Sequence, residues 1–244
     1  MIIHFLDNII QAVKRFFRGS SPIPKGYDDF LQSIKNKGIV PSRVCDVARL
    51  KQQSFCMIIH KVLSANDKFL PMARLEHSMG IKATYLMRGD EYLPDRTIRK
   101  ALKNINHEIA YHYENISYIK RKYKPNRDSD LRERAWWNFR KNMNEFREVS
   151  PVFFIMAYNP DPDIDNGSLI CDYHRRDQRI RADIGKDMRY LNAVWIDCSK
   201  HEIQADYLDE QGKRSPLEKS FTNLSELIEH FNTHEYPDRV IFEI

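Results

Sequence analysis

The stretch NHEIAYHYEN, residues 106–115, gathers two histidines, two glutamates and two tyrosines within ten positions. Imidazoles and carboxylates are ligands for divalent metals and the usual acids and bases of hydrolysis, so their spacing decides what they can do together. His107 and His112 are five positions apart. An odd offset puts them on opposite faces of a strand, and on a helix they diverge by about 140°. Neither geometry lets both hold one ion. On a strand, His112 and Glu114 share a face with Glu108 and Ala110, while Ile109, Tyr111 and Tyr113 share the other with His107. The stretch therefore offers one tidy pair, His112 with Glu114. The plainer alternative is a strand that runs into a polar loop.

Such a pair needs a scaffold, and the chain has the material for one. Its 244 residues, 42% hydrophobic and 11% aromatic, suffice for one large domain or two small ones with a real core. A formal net charge of +5 is mild; it suits an anionic partner such as a sugar nucleotide, a lipid phosphate or a membrane surface and does not demand nucleic acid. Cys45, Cys56, Cys171 and Cys198 form no C-x-x-C pair, which argues against a zinc knuckle and for free thiols in a reducing, cytoplasmic setting. No apolar run is long enough to span a bilayer, and the N-terminus lacks the charge order of a signal peptide.

Periodicity then sets out the elements. Ile2, Phe5, Leu6, Ile9, Ile10, Val13, Phe16 and Phe17 recur at helical spacing and are followed by Arg18 and GSSPIPKG, so residues 1–26 read as an amphipathic helix and linker. That helix has three uses: docking on its own domain, pairing with another subunit, or lying peripherally on the inner face of the membrane. From residue 27 to 244 helices and strands alternate. Helices are expected in YDDFLQSIKNKGIV, KFLPMARLEHSMG, DRTIRKALKNIN, DLRERAWWNFRKNMNEFREV and NLSELIEHFNTH. Strands are expected in SRVCDVARL, IKATYLMRG, the opening stretch, PVFFIMAYNP, NAVWIDCS, IQADYLDEQGK and DRVIFEI. This alternation predicts an α/β domain with a parallel sheet, either a barrel or an open sheet. Ligands in such folds bind at the C-terminal ends of strands, where Asp46, Arg88, His112 and the segment 157–159 are expected to converge.

VCDVARL, MARLEHSMGIKATYLMRG, NHEIAYHYEN, PVFFIMAYNP and PDRVIFEI together resemble the NodB-type polysaccharide deacetylases (carbohydrate esterase family four). The likeness is to a divergent branch found in bacterial surface-polysaccharide clusters, which carries HDVD, GIRATYFFR, GHEIGYHYE, MHGSP and VMINTHP. It runs from about residue 27 to the end, and GIKATYLMRG with NHEIAYHYEN is its most specific part. The resemblance implies a distorted (β/α) barrel of fewer than eight units. It implies metal-dependent hydrolysis of an N-acyl group on a sugar, with a divalent Zn, Mn, Fe, Ni or Co polarising the carbonyl and activating water. On it, Asp46, His112 and Glu114 are the metal ligands and Asp46 is also catalytic; Arg88, Tyr158 and Asn159, at strand ends, and Arg175 and Arg176, in the basic run YHRRDQRIR, are the candidate substrate contacts. That substrate would be an N-acetylated sugar, a sugar nucleotide or a polysaccharide intermediate.

The sequence also departs from the family. Ala48 stands for the second acid of DVD, Ile116 for the second histidine, Ala157 for the histidine of MHGSP, and the final strand stops at Ile244 before a late histidine. His107, in the place of the histidine of GHEIG, resembles a structural residue. Loss of one acid–base group costs about 10²–10⁴ in rate. The alternative is a catalytically inactive relative that binds a sugar, a sugar nucleotide or a partner enzyme. A third reading, nucleic-acid binding through YIKRKYKPNRDSDLRER and YHRRDQRIR, is weakened by the acids that interrupt both runs. Trp136, Trp137 and Trp195 read as packing residues, His60 as a surface residue, and Cys45 as a small core residue without a basic partner.

Overall fold

The computed structural model describes residues 23, 27–36, 40–49, 55–66, 68–173, 179–184, 193–197, 204–208, 214–216 and 239–243. The amphipathic segment at 1–22, the helix expected at 223–234, and Arg175 and Arg176 lie outside the described residues.

The described elements follow the alternation of the sequence. Helix α1 (Tyr27–Asn36) leads to β1 (Val40–Ser42), then a 3₁₀ turn at Val44–Arg49 and β2 (Phe55–Val62). Helix α2 (Leu70–Ser78) has proline in its first turn, and Gly80 just beyond it takes a left-handed φ of 75° that a side chain would resist. Next come β3 (Thr84–Met87), α3 (Arg96–Asn104) and β4 (Glu108–Tyr113). Asp95 caps α3 by accepting from the Thr97 amide at 2.7 Å, and Asn106 leaves it at a φ of 66°, as the asparagines suggested. Helices α4 (Asn115–Tyr123) and α5 (Asp128–Arg147) precede β5 (Phe154–Ala157), α6 (Ser168–Tyr173) and β6 (Ala182–Asp183). Strands β7 (Ala193–Asp197), β8 (Gln204–Leu208), β9 (Arg214–Pro216) and β10 (Arg239–Glu243) complete the set.

The strands form one sheet in the order β6-β5-β4-β3-β2-β10-β7-β8-β9, with β1 also against β2. Every pairing from β6 to β7 is parallel, while β8 and β9 are antiparallel. The fold is α/β with a largely parallel sheet, and the described strands make an open path ending at β6 and β9. The two faces differ. Cys56, Ile58, Tyr85, Ile109, Tyr111, Tyr113 and Ile155 point to a core shared with Leu31 of α1, Ala73 of α2, Leu102 of α3, Ile119 of α4, Phe139 of α5 and Leu169 of α6. Phe55, Met57, Ile59, Leu86, Ala110, Phe154 and Ile241 point the other way and pack with Val44. All of these helices thus cover one face. The alternation read within NHEIAYHYEN is the one observed.

Two readings need correction. The short strand expected in SRVCDVARL is a 3₁₀ turn at its centre, with only Val40–Ser42 paired ahead of it. The sheet's central strand is β2, FCMIIHKV, buried on both faces; it shows no period-two pattern because no face meets water. Helix α4 takes in the start of the basic run YIKRKYKPNRDSDLRER, for which no helix is expected, and buries Ile116 and Ile119, three apart, beneath its charged residues.

Candidate functional site

The face of the sheet opposite the helices ends in a cluster of polar side chains. Lys61 sits near the end of β2, Arg88 just past β3, His112 near the end of β4, Glu114 just past it, and Tyr158 just past β5. The register aligns Val62 with Met87, Met87 with Tyr111 and His112 with Met156, so these positions lie side by side. The structure therefore brings Arg88, His112, Glu114 and Tyr158 together, as expected.

Arg88 organises the cluster. Only 8% exposed, it donates from Nη2 to the Glu114 carboxylate and from Nη1 to the Leu63 carbonyl at 3.3 Å. Its guanidinium lies 3.5 Å from the Tyr92 ring centroid and 5.0 Å from that of Tyr158. The second Glu114 oxygen accepts from Arg121 Nη2 at 3.2 Å, so two guanidiniums hold one carboxylate. His112 is fully enclosed, packs against the Tyr158 ring at 4.8 Å and bonds to the Ala157 carbonyl. Burial, with Lys61 and Arg88 nearby, pushes its pKa down to about 3, so the ring is neutral. Its Nδ1 is buried without a partner and, in a neutral ring donating from the other nitrogen, is an acceptor. Arg88 Nε is a buried donor without a partner. Asn159 is exposed, and its Oδ1 accepts from the Asn166 amide at 3.0 Å.

Asp46 does not join this group. It lies in the 3₁₀ turn at the N-terminal edge of the sheet, where Arg43 grips both its oxygens at 2.9 and 3.1 Å and reaches on to Asn106 at 2.9 Å. The turn is pinned there by the Val44 amide on Thr84 Oγ1 at 3.1 Å and the Cys45 amide on Glu108 Oε2 at 3.1 Å. Glu108 and His112 are four residues apart on β4, roughly 13 Å at the strand rise. The Arg43 hydrogen bond holds the Asp46 carboxyl below its usual range, which is the signature of a structural ion pair. Burial beside Glu108 pushes the Cys45 thiol up to about 12, in keeping with a packing role.

A second polar cluster on the helix-covered face was missed by sequence reasoning. Glu76 of α2 is fully buried and accepts from Tyr27, from Tyr85 at 2.8 Å and from His60 Nε2 at 2.6 Å. His107 Nδ1 lies 3.7 Å from it. Burial opposes ionisation of Glu76, but the nearby His60 and His107 and the donated hydrogen bonds outweigh it, and its pKa is lowered. His60 is therefore a core residue, not a surface one. His107 accepts from the Ala83 amide at 3.1 Å and contacts the Ala73 carbonyl at 2.8 Å, tying α2 to β3 and β4. The available signal was an acid on the apolar stripe of α2, in phase with Met72 and Ala73.

Among the described residues no group of three His, Cys, Asp or Glu side chains is placed to hold a metal ion. His112 and Glu114 remain neighbours, but Glu114 is occupied by two guanidiniums, Asp46 is at the far edge, and Lys61 and Arg88 add positive charge beside His112. This donor set does not fit a divalent cation. No family model, curated protein or solved structure matches the chain. No helix among the described residues is long and apolar enough to cross a membrane.

Proposed function

We propose that the chain is a deacetylase-type (β/α) barrel that has given up metal-assisted hydrolysis and uses its strand ends to bind a hydroxyl-rich, anionic ligand of the sugar-nucleotide class. The observation that carries this reading is the Arg88 clamp, a buried guanidinium between two tyrosines and a carboxylate, beside a neutral imidazole. The Tyr92 and Tyr158 rings beside the Arg88 guanidinium suit the face of a sugar or base ring. Lys61 and Arg88 suit a phosphate.

The barrel rests on the strand order. From β2 to β6 the sheet steps in one direction with its helices on one face, as right-handed crossovers produce in a singly wound sheet. With β10 beside β2 and β7 beside β10, the parallel strands run β6-β5-β4-β3-β2-β10-β7, and the antiparallel β8 and β9 extend the path beyond β7. The family resemblance gains a different match from this placement. The strand beside β3 is β2; were HKVL, residues 60–63 at its end and just past it, the counterpart of HDVD, Lys61 and Leu63 would stand in place of the acids.

The test pairs two assays on the full chain. Calorimetric titration with UDP-N-acetylglucosamine should show saturable binding that Arg88→Met weakens by about tenfold or more. Acetate release from N-acetylated chitin oligosaccharides, with Zn, Mn, Fe, Ni or Co added, should stay at the blank rate. Turnover that His112→Ala abolishes would restore the hydrolase reading and overturn this one.

A further inference from the structure

Beside the strand-end cluster, a cleft of about 420 Å³ opens between α4 and α5, with Asp90, two residues past Arg88, in its lining. Its walls are aromatic. Trp137 is 57% exposed and Tyr123 52%, and the buried Tyr118 lines the cleft with them. Trp137 has the Arg140 guanidinium over its ring at 5.1 Å, whereas its neighbour Trp136 is the buried one, stacked on Phe139 at 5.5 Å with the rings nearly parallel. Lys122, Arg134 and Lys141 surround the rings. Lys122 Nζ donates to the Tyr118 hydroxyl at 2.6 Å and lies 5.1 Å from the Tyr118 ring centroid.

The floor is built rather than incidental. Asp90 holds a left-handed φ of 54°, a conformation a non-glycine residue keeps only when its surroundings fix it. Here they do. Asn138 Nδ2 donates to both Asp90 oxygens at 3.0 and 3.2 Å, Asn142 Nδ2 donates at 3.0 Å, and Lys141 Nζ lies 3.6 Å away. Asn138 accepts in turn from Asn115, which accepts from the Tyr111 hydroxyl at 3.0 Å, so the floor is tied to β4.

We infer that this cleft is a binding site for a saccharide that bears a negative charge. Flat aromatic surfaces take the C–H face of a sugar ring, the tyrosine and amide groups take hydroxyls, and Lys122 and Arg134, with Lys141 shared between Asp90 and Glu145, take the anionic substituent. The volume fits one or two sugar rings. Trp137 is the platform and Lys122 with Lys141 the charge contacts. Its lining shares no residue with the Arg88–His112 cluster, so it stands if the reading of that cluster fails.

Calorimetric titration of the full chain tests it with four probes: a glucuronate-containing disaccharide, glucose 1-phosphate, neutral N,N′-diacetylchitobiose and inorganic phosphate. The two charged sugars should saturate. Trp137→Ala should weaken them by about tenfold, and the double variant Lys122→Ala/Lys141→Ala by roughly threefold or more. Binding by only one of them identifies the charge as a carboxylate or a phosphate. Both lesions lie at exposed positions, and circular dichroism checks that the variants fold. Absence of saturable binding to either charged sugar, equal binding by Trp137→Ala, or inorganic phosphate competing as well as the sugars would overturn the inference.

Discussion

Arg88 and Glu114, carried just past the ends of the adjacent strands β3 and β4, form an ion pair in the protein interior. A carboxylate that would serve a metal is thereby committed to a guanidinium, and Arg121 takes its other oxygen. The strand-end face is thus organised around fixed positive charge and a neutral histidine.

Breaking this pair from the carboxylate side strands a buried cation. Glu114→Ala should lower stability by on the order of 3–5 kcal/mol in urea unfolding, because Arg88 Nε already lacks a partner. A loss below about 1 kcal/mol would show that the pair is solvent-relaxed and the clamp weak.

Gly89 is required for space. A β-carbon there would lie 2.3 Å from Asn142 Nδ2 and 2.6 Å from its Cγ, both part of a buried amide. Gly89→Ala should therefore cost roughly 1–3 kcal/mol and displace Asn142 from Asp90. Thermal unfolding reads the first effect. Saccharide affinity at the α4–α5 cleft reads the second, and an unchanged melting temperature would refute the packing assigned here.

Stability should fall in acid through His112. Its pKa goes from 6.5 to about 3 on folding, so above 6.5 neither state is protonated, and below it the unfolded chain takes a proton that the folded chain refuses. Stability attributable to this residue is fully present above pH 6.5 and declines by about 1.4 kcal/mol per pH unit as pH drops through that window. His107, lowered mainly by burial, acts in the same sense. Denaturant unfolding from pH 7 to pH 4 should show a shallower pH dependence in His112→Phe than in the wild type; parallel curves would mean that His112 titrates freely.

Glu76 joins Tyr27, His60 and Tyr85 across α1, α2 and the sheet. Glu76→Ala should destabilise by on the order of 3–5 kcal/mol, since three buried polar side chains lose their common acceptor. Equilibrium unfolding measures it, and a near-neutral result would remove the network from the account of the fold.

Much of this architecture could be read from periodicity. The faces of β4, the stripe on α5 and the left-handed exit at Asn106 follow from residue type and spacing alone. β2 could not be read that way, because a strand buried on both faces has no alternation. Nothing local in VCDVARL shows that Arg43 holds Asp46 at the opposite edge of the sheet. Arg88, His112, Glu114 and Tyr158 were legible because each follows directly on a strand that was recognised. The Glu76 cluster and the Trp137 cleft depend on helix rotation against the sheet, which fixes what is buried only after packing.

The central claim is that the strand-end face is a cationic binding surface and not a metal centre. Elemental analysis of the purified protein, after loading with Zn, Mn, Fe, Ni or Co and removal of excess metal, tests it most directly when wild type and His112→Ala are compared. The account predicts metal far below one ion per chain and no difference between the two proteins. Near-stoichiometric metal in the wild type that disappears in His112→Ala would contradict it.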